Sequence, residues 1–137
     1  MSDSAAVDKA IFTALNDPTL LTLLPDGVYF GVAPQSKTKV AIVMLPSHVD
    51  TDQFQGTAFE TSTYMVKAMV KENSVTRAND AAARIQVLML ALPAPAGYTV
   101  TVVRRSERIA YTEADPDNPD ILWQHRGGLY DVMVAPL

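Results

Sequence analysis

The stretch Ser74 to Leu92 constrains this chain more than any other. Its apolar residues Val75, Ala78, Ala82, Ile85, Met89 and Leu92 recur in alternating steps of three and four, which draws one continuous stripe along a helix. Ser74 supplies an N-cap hydroxyl for a free N–H of the first turn. Pro93 and Pro95 end the helix, because neither carries a backbone donor. Asp80 and Arg84 stand off the stripe at the spacing of a weak surface pair. From Val87 to Leu92 no polar residue interrupts, so the last turns are expected to be covered on most sides, by a sheet on one and a second subunit on another.

A chain of 137 residues is expected to be one domain with a core that needs no covalent staple. It has no cysteine, which removes disulfides and thiolate metal sites. Met1 leads directly into Ser2-Asp3-Ser4 without a basic, apolar leader, and Val87 to Leu92 is far too short to cross a bilayer. The formal charge of −4 argues against broad neutralisation of phosphates. These features describe a soluble, intracellularly made, mildly acidic domain with no membrane partner. Apolar residues make up 48% and charged ones 19%, a balance that points to surface buried against partners.

A first helix is expected from Ser4 to Leu15, with Val7, Ile11, Ala14 and Leu15 on one face. Asn16-Asp17-Pro18 breaks it and restarts a short leucine-rich turn, with Asp17 as N-cap and Pro18 at the first position. Val28 to Val32 and the β-branched run Val40 to Leu45 read as strands, the second stopped by Pro46. His48 to Thr57 reads as a polar loop around a lone aromatic, Phe54. Glu60 to Lys71 alternates as a strand, with Tyr64, Val66, Ala68 and Val70 on one side. Beyond the prolines, Tyr98 to Arg105 is a strand and Ser106 to Arg108 a polar bend, after which Ile109 to Thr112 is extended. Glu113 to Asp120 is a hydrophilic loop. Ile121 to His125 and Leu129 to Ala135 follow, separated by a break at Gly127-Gly128. The order predicts an α+β fold: a mixed, largely antiparallel sheet with two main helices packed on one face.

No catalytic constellation emerges. His48-Val49-Asp50 offers one metal ligand and one orienting carboxylate, and His125 stands alone beside Arg126, so both histidines read as polar loop or strand-edge residues. Gly127-Gly128 lacks the lysine and the strand–loop–helix setting of a phosphate loop. Asp115, Asp117 and Asp120 lack the glycine and the terminal glutamate of a calcium loop and read as a solvated turn. Arg104, Arg105 and Arg108 read as an exposed strand end. The six methionines read as filler of the core or of subunit contacts. No metal or cofactor is expected, and no enzymatic activity.

Several stretches, in this order, resemble the tail terminator (tail completion, or tail-to-head joining) proteins of long-tailed bacteriophages and related gene transfer particles. They are Asp17-Pro18-Thr19-Leu20 after a first helix, Val28 to Gln35 with its Ala33-Pro34 loop, and the apolar strand Val40 to Leu45. Tyr98-Thr99-Val100, Tyr111-Thr112-Glu113 and Gln124 to Val132 complete the set. Lys39-Val40 departs from the proline–aromatic pair expected ahead of the apolar strand, which bears on the edge geometry there. The resemblance implies a mixed sheet flanked by helices and a homo-hexameric ring that caps the tail tube and stops its polymerisation. It also implies contacts with the major tail tube protein and with a head-completion or connector protein, a place at the head-proximal end of a virion tail assembled in the host cytoplasm, and a channel that DNA traverses without specific binding. Other readings are a different neck or tail component, such as a head-completion protein or tube subunit, and a small ligand-binding domain or enzyme built around His48. Because Phe54 has no periodic partner, Asp50, Asp52, Gln53 and Phe54 are the expected contact with a neighbouring subunit or the tube. Glu113, Asp115, Asp117 and Asp120 are the expected acidic surface of the channel or of one ring face.

Overall fold

The computed structural model describes residues 5–53 and 56–137, with the side chains of residues 50–58, 100 and 101 outside the description. Three helices and five strands follow one another as α1 (Ala5–Leu15), α2 (Pro18–Leu23), β1 (Val28–Phe30), β2 (Lys39–Gln53), β3 (Gly56–Lys71), α3 (Thr76–Leu90), β4 (Tyr98–Ala114) and β5 (Leu122–Pro136). The strands form one sheet in the order β1-β2-β3-β5-β4, parallel only between β1 and β2. This is the α+β arrangement that the periodicities predict, with the helices on one face.

The two patterns meet in the core. Alternate residues of β3, namely Tyr64, Val66, Ala68 and Val70, face the helices with Tyr130, Val132 and Val134 of β5, and all are fully buried. From the helices come Val7, Ile11 and Leu15 of α1, Leu20 and Leu24 around α2, and Ala78, Ala81, Ile85 and Met89 of α3. Tyr64 keeps its hydroxyl inside this layer by donating to the Asp8 carboxylate, so burial of the phenol leaves no orphaned donor. Asp17 caps α2 as expected, accepting the Leu20 N–H at 3.0 Å with Pro18 following at the first position.

Several boundaries differ from expectation, each for a physical reason. The α3 cap lies at Val75 rather than Ser74, although the Ser74 hydroxyl still accepts the Thr76 N–H. Arg84 reaches past Asp80 to grip Asp17 with two hydrogen bonds, Nε to Oδ2 at 2.9 Å and Nη2 to Oδ1 at 2.8 Å, and so ties α3 to the α2 cap. Within one chain Met89 and Leu92 are buried against the core, while Val87 and Leu90 are exposed.

Of the residues expected as a loop, 48–53 continue β2 and 56–57 open β3, and these two strands pair with each other in a long antiparallel ladder. Pro46 does not stop β2, because it falls in a bulge between Met44 and Ser47. There the outer neighbour β1 has already ended opposite Val43, so no ladder bond needs the missing N–H. The polar bend after Arg105 is likewise a bulge inside the continuous edge strand β4, where Ser106 is skipped in the pairing. Gly127-Gly128 is no break either. Both glycines lie inside β5, where a Cβ on Gly127 would run into the Val66 carbonyl and the Lys67 backbone, and one on Gly128 would approach the Glu107 carbonyl to 2.8 Å. Glycine is there for close approach of the strands.

Candidate functional site

The expected contact residues occupy the far part of the β2–β3 ladder. Asp50 is paired with Glu60, Asp52 with Thr57 and Gln53 with Gly56, in a section where β2 and β3 pair mainly with each other. Phe54 lies outside the described residues. Just inside this section, His48 Nδ1 and Ser62 Oγ are hydrogen-bonded at 2.8 Å, and His48 Nε2 stands 3.5 Å from Glu60 Oε1. Serine, histidine and carboxylate in that order would suit a nucleophilic relay. Ser62 and Glu60 are each only 1% exposed, so no substrate carbonyl can reach the hydroxyl. The three side chains fasten β2 to β3 beyond the bulge.

The four acidic residues expected to form one surface are placed with different tasks. Asp115 is the centre of the β4–β5 turn. It accepts the Trp123 indole N–H at 2.9 Å and the N–H groups of Asp117 and Asn118 at 3.2 Å, with the Lys71 ammonium 3.9 Å away. The indole donor, then Lys71 and the turn N–H groups, hold its carboxyl below the usual carboxylate range. Glu113 is exposed at the end of β4, beside Nε2 of His125. Asp117 and Asp120 are exposed on the turn itself, which Asn73 pins from the β3–α3 connection by accepting the Leu122 N–H at 3.2 Å.

On the helix-free face, β3, β5 and β4 bring together a polar cluster that no local motif announces. Lys67, only 8% exposed, donates to the Tyr111 hydroxyl at 2.7 Å. The Tyr111 ring stacks on His125 with centroids 4.2 Å apart. Burial, then the neighbouring Lys67 charge, pushes the His125 pKa down, against the Glu113 carboxylate that raises it. Beside it, a cleft of about 480 Å³ opens between the loop after β1 (Ala33, Pro34) and the acidic turn, floored by Met69 and Trp123. Lys37 and Lys71 line it together with Glu113, Asp115 and Asp117, which leaves one carboxylate more than the ammonium groups offset. Among the described residues, no three His, Asp or Glu side chains converge as a metal site.

The arginines of β4 do more than mark a strand end. Arg105 and Arg108 meet Arg126 of β5 in a groove against α3, beside Asn79 and Gln86, because the β4–β5 register sets Arg108 opposite Gly128 and Arg126 opposite Ala110. Arg126 is too far along the sequence to be grouped with the other two until that register is known. Arg104 points elsewhere and pairs with Asp131 at 3.1 Å.

No family model matches the chain, and no curated protein matches it. Its fold is similar to that of a chain in the virion of a native gene transfer agent (GTA) particle. That similarity has a TM-score of 0.70 at 15% sequence identity and covers 96% of each chain.

Proposed function

We propose that this chain is a structural protein of a phage-like virion, a tail terminator that forms a hexameric ring at the head-proximal end of the tail tube. The observation that carries the reading is the end-to-end similarity of fold to a chain of a gene transfer agent virion. The order of stretches that resemble tail terminators, from Asp17-Pro18 to the Gln124–Val132 segment, supports the finer assignment. The chemistry fits a scaffold: the Ser62 hydroxyl and Glu60 carboxylate beside His48 are buried, and α3 exposes the apolar residues Val87 and Leu90. In this reading the ring stops tube growth on one face and receives the head connector on the other, and DNA passes through its channel without specific contacts.

The far part of the β2–β3 ladder is the proposed contact with the next subunit or the tube, through Asp50, Asp52, Gln53 and Phe54. A heterologous contact of this kind must close on itself or grow into a filament. The test is tube growth in vitro. Added to polymerising tail tube subunits, a terminator fixes the tube length at substoichiometric amounts and appears once per end. Incorporation along the whole tube would make the chain a tube subunit, and failure to bind tube ends would remove the assignment.

A further inference from the structure

The arginine groove between α3 and β4 gathers positive charge with no acidic residue in its lining. It is small, about 160 Å³, and its polar lining is Arg105, Arg108 and Arg126 with the amides of Asn79 and Gln86. None of the three arginines forms an ion pair among the described residues. Arg105 spends one nitrogen on Gln86 Oε1 at 3.2 Å, and Arg126 spends one on the carbonyls of Tyr111 and His125 at 2.7 and 2.8 Å. The guanidinium of Arg108 has no partner among the described residues. Each guanidinium carries five N–H donors in a planar fork; Arg105 also meets the buried Tyr130 hydroxyl, whereas Arg108 keeps its donors for a ligand. Three cations converging without a counter-charge repel one another, and an anion in the groove relieves that repulsion.

The same edge strand ends in the complementary feature. The turn after β4 presents Asp117 and Asp120 to solvent, with Glu113 exposed at the end of β4 beside His125, on a frame fixed by Asp115, Trp123 and Asn73, so docking it would cost little ordering entropy. It cannot serve the groove of its own chain. Arg108 and Ala114 are six residues apart on one strand, about 20 Å at 3.4 Å per residue, and the Trp123 and Asn73 bonds hold the turn at its own end of the sheet. A carboxylate from a second copy fits better than a DNA phosphate, since a chain of net charge −4 repels a polyanion at long range.

We propose that the groove of Arg105, Arg108 and Arg126 receives the acidic turn Glu113–Asp120 of a neighbouring copy, head to tail. The proposal rests on the ring reading and moves the turn from the channel or ring face into the contact between subunits.

The absence of cysteine gives a clean test. Full-length Arg108→Cys and Asp117→Cys variants, both at exposed positions, are mixed under mild oxidation, with Thr99→Cys plus Asp117→Cys as the mismatched control. A disulfide requires Cβ atoms about 4 Å apart, so only a real contact yields the 108–117 product. That product should dominate over the control and fade at 1 M salt, where the screening length is about 3 Å. Arg108→Asp should weaken self-association roughly tenfold, as for loss of a charge-assisted pair, and mixing with Asp117→Arg should restore it. The variant carrying both cysteines should close at six chains. Cross-linking no better than the control overturns the docking, as does strong binding of duplex DNA that Arg108→Asp abolishes. A doubly linked product that stops at two chains overturns the head-to-tail geometry. A six-fold layer seen at the tail end without the 108–117 link would refute this contact and leave the ring standing.

Discussion

Replacing Gly127 by alanine should cost this protein about 3 kcal/mol of stability, while the same change at Gly128 should cost about 1–2 kcal/mol. At Gly127 the added methyl meets the Val66 carbonyl, Lys67 Cα at 2.5 Å and Lys67 Cβ at 2.7 Å, all belonging to the facing strand β3. Backbone cannot swing aside, so β3 and β5 must separate where they are paired over twelve residues, from Glu60 opposite Val134 to Lys71 opposite Trp123. Overpacking costs about 1–3 kcal/mol where side chains can adjust, and each ladder bond lost adds roughly 1 kcal/mol. The lower entropy of an unfolded alanine returns about 0.4–1 kcal/mol. At Gly128 two of the three closest atoms, 2.7 and 2.9 Å away, belong to the flexible Arg105 side chain, and only the Glu107 carbonyl at 2.8 Å is fixed. Urea unfolding followed by circular dichroism measures both. With a slope of about 2 kcal/mol/M, the midpoint should fall by about 1.5 M for Gly127→Ala and by less than 1 M for Gly128→Ala. Equal costs, or a Gly127→Ala cost below about 1 kcal/mol, would refute the register that sets Lys67 opposite Gly127.

Two further outcomes are expected. The Arg84 guanidinium holds the Asp17 carboxyl at a pKa of about 2 against an ordinary 3.8, so the stability it contributes is complete above about pH 5 and is lost as pH falls through 2. Asp17→Asn should therefore melt lower than the parent at pH 6, and the gap should narrow by pH 2; a gap independent of pH would contradict the pairing. Phe54→Ala should weaken ring formation or tail attachment by on the order of 2 kcal/mol and leave the melting temperature of the isolated chain nearly unchanged. A large drop in melting temperature would show that Phe54 belongs to its own subunit's core.

What the sequence reveals and conceals follows from how local each signal is. The α3 stripe, the Asp17-Pro18 cap and the alternation of Tyr64, Val66, Ala68 and Val70 depend on near neighbours and are legible without the fold. Pro46, Ser106 and Gly127-Gly128 mislead because each is a breaker whose effect depends on which strand lies beside it. Pro46 falls where β1 has ended, Ser106 bulges on an edge strand, and the glycines sit where strands approach closely. The Asp17–Arg84 pair spans 67 positions, and it displaces the local Asp80–Arg84 pairing that spacing suggests. The acidic turn is visible as composition, whereas the role of Asp115 as its anchor depends on Trp123 across the turn. The arginine groove is least legible, because Arg126 joins Arg105 and Arg108 only through the register of two long strands.

The most direct test of the central claim is a reconstruction of the head-proximal end of the tail in particles that contain this chain. The account predicts density for it in one six-fold layer, between the last ring of the tube and the head connector. Density repeated along the tube, or none at the neck, would contradict it.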